Sequence, residues 1–129
     1  MQYTLPTARE IWTKARRALG AGHLQCQRED FTPNFDECLY GAPCVIGAGL
    51  SPYLRQQLDN HVPSYIGGSA INDLFKADFV TVSPSDKPRG KSVRKWLNLL
   101  QMAHDKKKLK RLKELLSCET FSKVVAGKF

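Results

Sequence analysis

Apolar residues fall at helical spacing early in the chain: Ile11, Trp12, Ala15, Ala18 and Leu19 share one face. Thr7 and Glu10 precede that stripe at capping-box spacing, where the hydroxyl accepts from a backbone N–H three residues on and the carboxylate reaches back. Gly20 and Gly22 are suitable stop residues, because glycine enters the left-handed cap conformation without strain. Arg9, Lys14, Arg16 and Arg17 lie mostly off the stripe. The pattern predicts a helix over about 7–20.

The periodicity then lapses. His23-Leu24-Gln25-Cys26 reads as a short strand, followed by a loop holding Pro33, Asn34 and Asp36. Glu37-Cys38-Leu39-Tyr40, Gly41-Ala42-Pro43 and Cys44-Val45-Ile46 suggest a second strand or an irregular, buried return, and a small β-hairpin packed on the helices fits best. Ser51-Pro52 starts another helix, with serine as N-cap and proline in the first turn, where its missing N–H costs nothing. Tyr53, Leu54 and Leu58 give that helix an inner side, and Pro63 ends it. Ala70, Ile71, Leu74 and Phe75 form a short amphipathic stretch. Phe79-Val80-Thr81-Val82 has β-branched, extended character, and residues 83–90, with two prolines, read as a loop.

The final third is helical again. Val93, Trp96, Leu97, Leu100 and Ala103 hold one stripe from about 92 to 104; Leu109, Leu112, Leu115 and Leu116 form another. At 100° per residue the second stripe is rotated by roughly a third of a turn from the first, so one straight helix cannot bury both against the same surface. A break near His104-Asp105 follows, with a separate helix to about Ser117 and a tail that docks through Phe121, Val124 and Val125 or frays. The fold class expected is mainly α: a compact small domain of four to five helices with a β-hairpin between the first two. Residues 1–105 make the helical core with its hairpin, and 106–129 a basic helix and tail, within the same domain or as an extension. The expected core is Ile11, Trp12, Leu19, Leu24, Cys44, Ile46, Leu50, Leu54, Leu58, Ile71, Leu74, Phe75, Trp96, Leu97 and Leu100.

Composition adds few constraints. At 129 residues the chain suits one domain, and 42% apolar residues are too many for general disorder. No apolar run approaches the roughly 18–20 residues that span a bilayer. The N-terminus lacks a basic cap followed by an apolar stretch, so a cytoplasmic protein is expected, and its four cysteines are read as thiols. Charge is the informative quantity. Residues 1–86 hold seven Lys/Arg against nine Asp/Glu, whereas residues 87–129 hold thirteen against three. A field of one sign attracts polyanions and is sensitive to salt; it also keeps a protein soluble.

Catalytic and metal signals are weak. His23, Cys26, Cys38 and Cys44 are four soft ligands within 22 residues, but Cys38 and Cys44 are spaced too widely for a zinc knuckle, and Cys44 leads an apolar run as a core residue would. No cofactor is called for. A Cys–His pair drawn from Cys26, Cys38 or Cys44 with His23, His61 or His104 is open to almost any chain of this composition. His104 reads as a core imidazole or a partner of Asp105. Gly41, Gly47 and Gly49 match no phosphate-binding fingerprint.

The basic run carries more. Lys106, Lys107, Lys108, Lys110, Arg111 and Lys113 occupy eight residues interleaved with Leu109 and Leu112, giving a helix an apolar edge and a wide cationic face. Arg89, Lys91, Arg94 and Lys95 extend the patch upstream. Such a face neutralises phosphates, with affinity that falls steeply as salt rises. The run is Lys-rich where base readout favours Arg, Asn and Gln, and poor in aromatics for stacking single strands.

In order and spacing, four segments resemble a group of small uncharacterised bacterial and phage proteins: Leu24-Gln25-Cys26-Gln27, Cys44-Val45-Ile46-Gly47-Ala48-Gly49-Leu50, Ile71-Asn72-Asp73, and Trp96 through Asp105. That group typically shows a Trp-Cys-Gln-Gly-like turn, a Cys-x-x-Gly-Ala-Leu segment and an Asn-Asp pair. The resemblance covers roughly residues 8–105 and departs at the first turn, where Leu24 and Gln27 stand for Trp and Gly. It implies a helix–hairpin–helices architecture and no activity; analogy with small phage-associated proteins, which often bind host nucleic-acid machinery, keeps an inhibitor or adaptor role open. The expected function is therefore non-catalytic binding of nucleic acid, or of a nucleic-acid-processing complex, through the basic C-terminal surface. The alternative is a protein–protein adaptor or inhibitor that meets an acidic surface through the same lysines, with Leu109, Leu112 and Leu116 as apolar anchors. A Cys/His enzyme is third.

Overall fold

A computed structural model describes residues 2–20, 45–61, 71–106 and 108–129, the side chains of Asp59 and His61 excepted. These residues are mainly helical and include seven α-helices: α1 (Ala8–Gly20), α2 (Val45–Gly49), α3 (Pro52–His61), α4 (Ile71–Lys76), α5 (Gly90–Asp105), α6 (Leu109–Leu115) and α7 (Cys118–Val125). A 3-10 helix, Pro84–Arg89, runs directly into α5. Two short strands, β1 (Tyr3–Thr4) and β2 (Val80–Thr81), pair in parallel.

The expected helices at 7–20 and 92–104 form as α1 and α5. Thr7 caps α1, its Oγ1 accepting from the Glu10 N–H at 3.2 Å. Ser51 does the same for α3, its Oγ accepting from the Leu54 N–H at 3.1 Å. The break after His104 is present: α5 ends at Asp105 and α6 starts at Leu109. The tail docks rather than frays, with Phe121 and Val124 buried and Val125 packed against the core.

Three expectations are corrected. Val45 and Ile46, read as the second arm of a hairpin, belong to the helical turn α2, which packs on α1; the other arm, 23–26, lies outside the described residues. Gly49 permits that packing, since a Cβ there would stand 2.6 Å from Cγ2 of Ile11 and 3.0 Å from its Cα. The observed sheet is elsewhere and parallel, joining the chain start to β2 through Tyr3 N–H to Phe79 O (2.9 Å) and Leu5 N–H to Thr81 O (2.8 Å). Residues 84–89, read as loop, are the 3-10 helix.

α5 is the central element, in contact with α2, α4, α6, α7 and the 3-10 helix. Trp96, Leu97 and Leu100 are fully buried on its inner face. Leu112, Leu115, Leu116, Phe121 and Val124 belong to the same buried cluster as Ile11, Ile46 and Trp96. The basic segment is thus built into the core. Of the residues expected in that core, Trp12 and Leu19 are only partly buried, and Leu24 and Cys44 lie outside the described residues.

Two buried polar side chains cap helices from elsewhere in the chain. Asp86, 2% exposed, accepts from the Ala8 N–H at 2.7 Å, at the N-terminus of α1, and from Arg89 Nε at 3.2 Å. Gln101 accepts from the Ile71 N–H at 2.6 Å, at the start of α4. Both satisfy donors that a helix start leaves without intrahelical partners, and a carboxylate there also complements the helix dipole. α4 closes in a Schellman motif, with Asp78 in the left-handed region at φ 57°, Phe79 N–H on Leu74 O and Asp78 N–H on Phe75 O.

Candidate nucleic-acid interface

α6 is only seven residues long, and its orientation is set by what it buries. Leu112 and Leu115 face the core together with Leu116 just beyond the helix, leaving Lys108, Lys110, Arg111 and Lys113 exposed. Its C-terminal carbonyls are held by two indoles: Trp96 Nε1 donates to Leu115 O and Trp12 Nε1 to Leu116 O, both at 2.8 Å. Because Leu115 lies against Trp96, α6 folds back along α5 and its cationic side cannot turn inward. Leu112 and Leu116, expected as anchors for a protein partner, are core residues; among the three anchors only Leu109 is exposed.

The ten predicted site residues divide by what they touch. Arg89 is committed to Asp86, at 3.2 Å. Arg94 lies over the Phe75 ring at 4.8 Å. Lys95 donates to Phe129 O at 3.1 Å and lies 5.1 Å from that ring's centroid. Arg111 pairs with Glu114 at 3.4 Å, with both side chains about half exposed, which water screens to little net stabilisation. Lys91, Lys106, Lys108, Lys110 and Lys113 are exposed and have no carboxylate within ion-pair distance among the described residues. Lys107 lies outside the described residues.

Two clusters result, one at each end of α5. Lys95 and Lys106 are eleven residues apart, about 16 Å along a helix axis at 1.5 Å per residue. That span corresponds to about five base steps along a strand at 3.4 Å each. Exposed Lys128, isolated in the sequence, is carried by the fold to the start of α5 beside the upstream cluster. A Schellman turn at Gly127 (φ 72°), with Lys128 N–H on Lys123 O, sends the chain back to α5, where the Phe129 N–H donates to Ser92 Oγ at 3.2 Å.

The other candidates yield less. His104 is buried, with Nδ1 3.3 Å from Asp105 Oδ1, the pairing its position suggested. Cys118 is exposed at the first residue of α7, its Sγ accepting from Arg16 at 3.3 Å. His23, Cys26, Cys38 and Cys44, the candidate metal ligands, lie outside the described residues; among those described, no group of three or more His, Cys, Asp or Glu could hold a metal. No described helix is long and apolar enough to cross a membrane. Compared with known proteins, the chain matches no family model, no curated protein and no solved structure.

Proposed function

We propose that the protein is a non-catalytic binding protein that contacts the phosphates of nucleic acid, alone or within a nucleic-acid-processing complex, through its basic C-terminal surface. The observation that carries this reading is the arrangement of α6. Leu112 and Leu115 of its apolar edge are consumed by the core, and Lys108, Lys110 and Lys113 stand exposed with no acidic partner among the described residues. Lysines held this way gain little for folding, yet each can displace a counterion from a phosphate backbone. The few exposed apolar side chains favour backbone contact over an apolar docking site: Met102 and Leu109 flank the α5–α6 turn, and Tyr53 is on α3.

Truncation cannot test the reading, because removing 106–129 would strip Leu112, Leu115, Phe121 and Val124 from the core along with the charge. Charge substitution can. Replacing Lys108, Lys110 and Lys113 together with Gln should weaken binding to unrelated duplex sequences alike and reduce the slope of log K against log salt by about three. Unchanged affinity and slope would remove the proposed surface.

A further inference from the structure

Beside the upstream cluster lies a cavity of about 240 Å³ between β2, the 3-10 helix and the start of α5. Phe75, Val80 and Val82 give it an apolar wall, and Lys87, Lys91 and Arg94 supply three cations. Lys87 belongs to the 3-10 helix and Lys91 to the first turn of α5, and both line the cavity. Among the described residues none of the three cations has a carboxylate within ion-pair distance, whereas neighbouring Arg89 is neutralised by Asp86. An anion in the cavity would complement these charges.

Arg94 packs on an aromatic ring. Its guanidinium lies over the Phe75 ring at 4.8 Å, and Phe75 is itself buried. A guanidinium resting on an aromatic face keeps N–H donors for a planar or tetrahedral oxyanion, at less entropic cost than a free side chain. Asp78 lines the same cavity, so the lining carries two net positive charges. That balance suits a dianion better than a carboxylate or a backbone phosphodiester, each of which brings a single negative charge. The volume falls below the roughly 300–1,000 Å³ of pockets for drug-sized ligands and suits a single anionic group within the cavity itself.

We propose that this cavity is a binding site for a phosphomonoester dianion, held by Lys87, Lys91 and Arg94 against the wall of Phe75, Val80 and Val82. Two sources share that chemistry, the terminal phosphate of a nucleic acid strand and a free phosphate ester. The first rests on the function proposed above and deepens it, since the site would seat a strand end at the edge of a surface that holds the backbone.

The test is a titration of the full chain with inorganic phosphate, followed by amide NMR at ionic strength held constant with chloride. Saturable shifts confined to residues around the cavity, among them Thr81, Gly90 and Lys91, are expected. Lys87→Gln and Arg94→Gln should each weaken the interaction about tenfold, as loss of one charge-assisted contact does. Asp78→Asn should tighten it severalfold, a gain that a destabilised chain cannot imitate. Shifts spread over all exposed lysines, or an affinity indifferent to Lys87→Gln and Asp78→Asn, would overturn the proposal.

Oligonucleotides of one sequence with 5′-phosphate and 5′-hydroxyl ends, and phenyl phosphate, then separate the sources. A preference for the phosphorylated end that Lys87→Gln abolishes assigns the site to strand termini. Equal oligonucleotide affinities, with phenyl phosphate bound in the cavity, assign it to a free ester. Failure of both oligonucleotides to bind would remove the function proposed above, and the cavity would still be judged by phosphate alone.

Discussion

Trp12 and Trp96, 84 positions apart in the sequence, donate their indole N–H groups to adjacent carbonyls at the end of α6, Trp12 to Leu116 and Trp96 to Leu115, each at 2.8 Å. Phe121 is the third member of the joint, stacked on Trp12 with centroids 4.3 Å apart and tilted against Trp96 at 5.5 Å. The last carbonyls of a helix have no intrahelical donor, and the two indoles fill that role while the rings are buried or half-buried. The joint fastens the basic segment to α1 and α5, so the charged face of α6 is presented at a fixed orientation.

Replacing each tryptophan by Phe should rank the two contacts. Trp12 is partly buried, and Trp12→Phe keeps an aromatic face for Phe121 while losing one hydrogen bond, a cost of about 1 kcal/mol. Trp96 is wholly buried, so Trp96→Phe adds a cavity and a buried unpaired carbonyl, about 2–4 kcal/mol together. Urea unfolding measures both. An equal cost for the two would mean that the joint is not organised around Trp96.

Asp86 is a buried carboxylate with two partners, and its removal should be severe for a residue in a segment that resembles a loop. Asp86→Ala leaves the Ala8 N–H without its acceptor and Arg89 without its counter-charge, costing about 2–4 kcal/mol in thermal or urea unfolding. A loss below about 0.5 kcal/mol, typical of surface changes, would contradict this role.

Gly49→Ala places a methyl against Ile11 and should destabilise by about 1–3 kcal/mol, as overpacking does. Ile11→Val should bring little rescue, because valine retains the Cα and the branched methyl that the new Cβ would meet. Restoration of stability in that double variant would show that the close approach of α1 and α2 is not fixed by backbone.

Much of this was readable in the residues. The stripes beginning at Ile11 and Val93 are long enough to show their period, and the rotated stripe from Leu109 located the break after His104. What escaped was either short or non-local. Val45-Ile46 is β-branched and belongs to an apolar run too brief to distinguish strand from buried helix, and contact with α1 through Gly49 decided it. Tyr3–Thr4 has no periodicity to detect, and its partner stands 77 residues away. An apolar stripe also does not state what covers it, which is why Leu112 and Leu116 read as partner anchors and are core. The basic residues could be named from the sequence; that Arg89 answers Asp86, and that Lys87 shares a cavity with Lys91 and Arg94, needed the fold.

Leu112 and Lys113 are adjacent in sequence and should respond oppositely. Leu112→Ala should cost about 2–5 kcal/mol of stability and leave the salt slope of the folded protein unchanged. Lys113→Gln should leave stability within about 0.5 kcal/mol and reduce the slope by about one. Comparing unfolding and binding for the pair checks both.

The most direct measurement is a titration of the purified chain against an arbitrary duplex at about 50 and 200 mM salt. Phosphate contacts from Lys106, Lys108, Lys110 and Lys113 predict a slope near −3.6, and hence a loss of affinity on the order of 10²-fold across that range, the same for unrelated sequences. No binding at the lower salt, or binding indifferent to salt, would contradict the account.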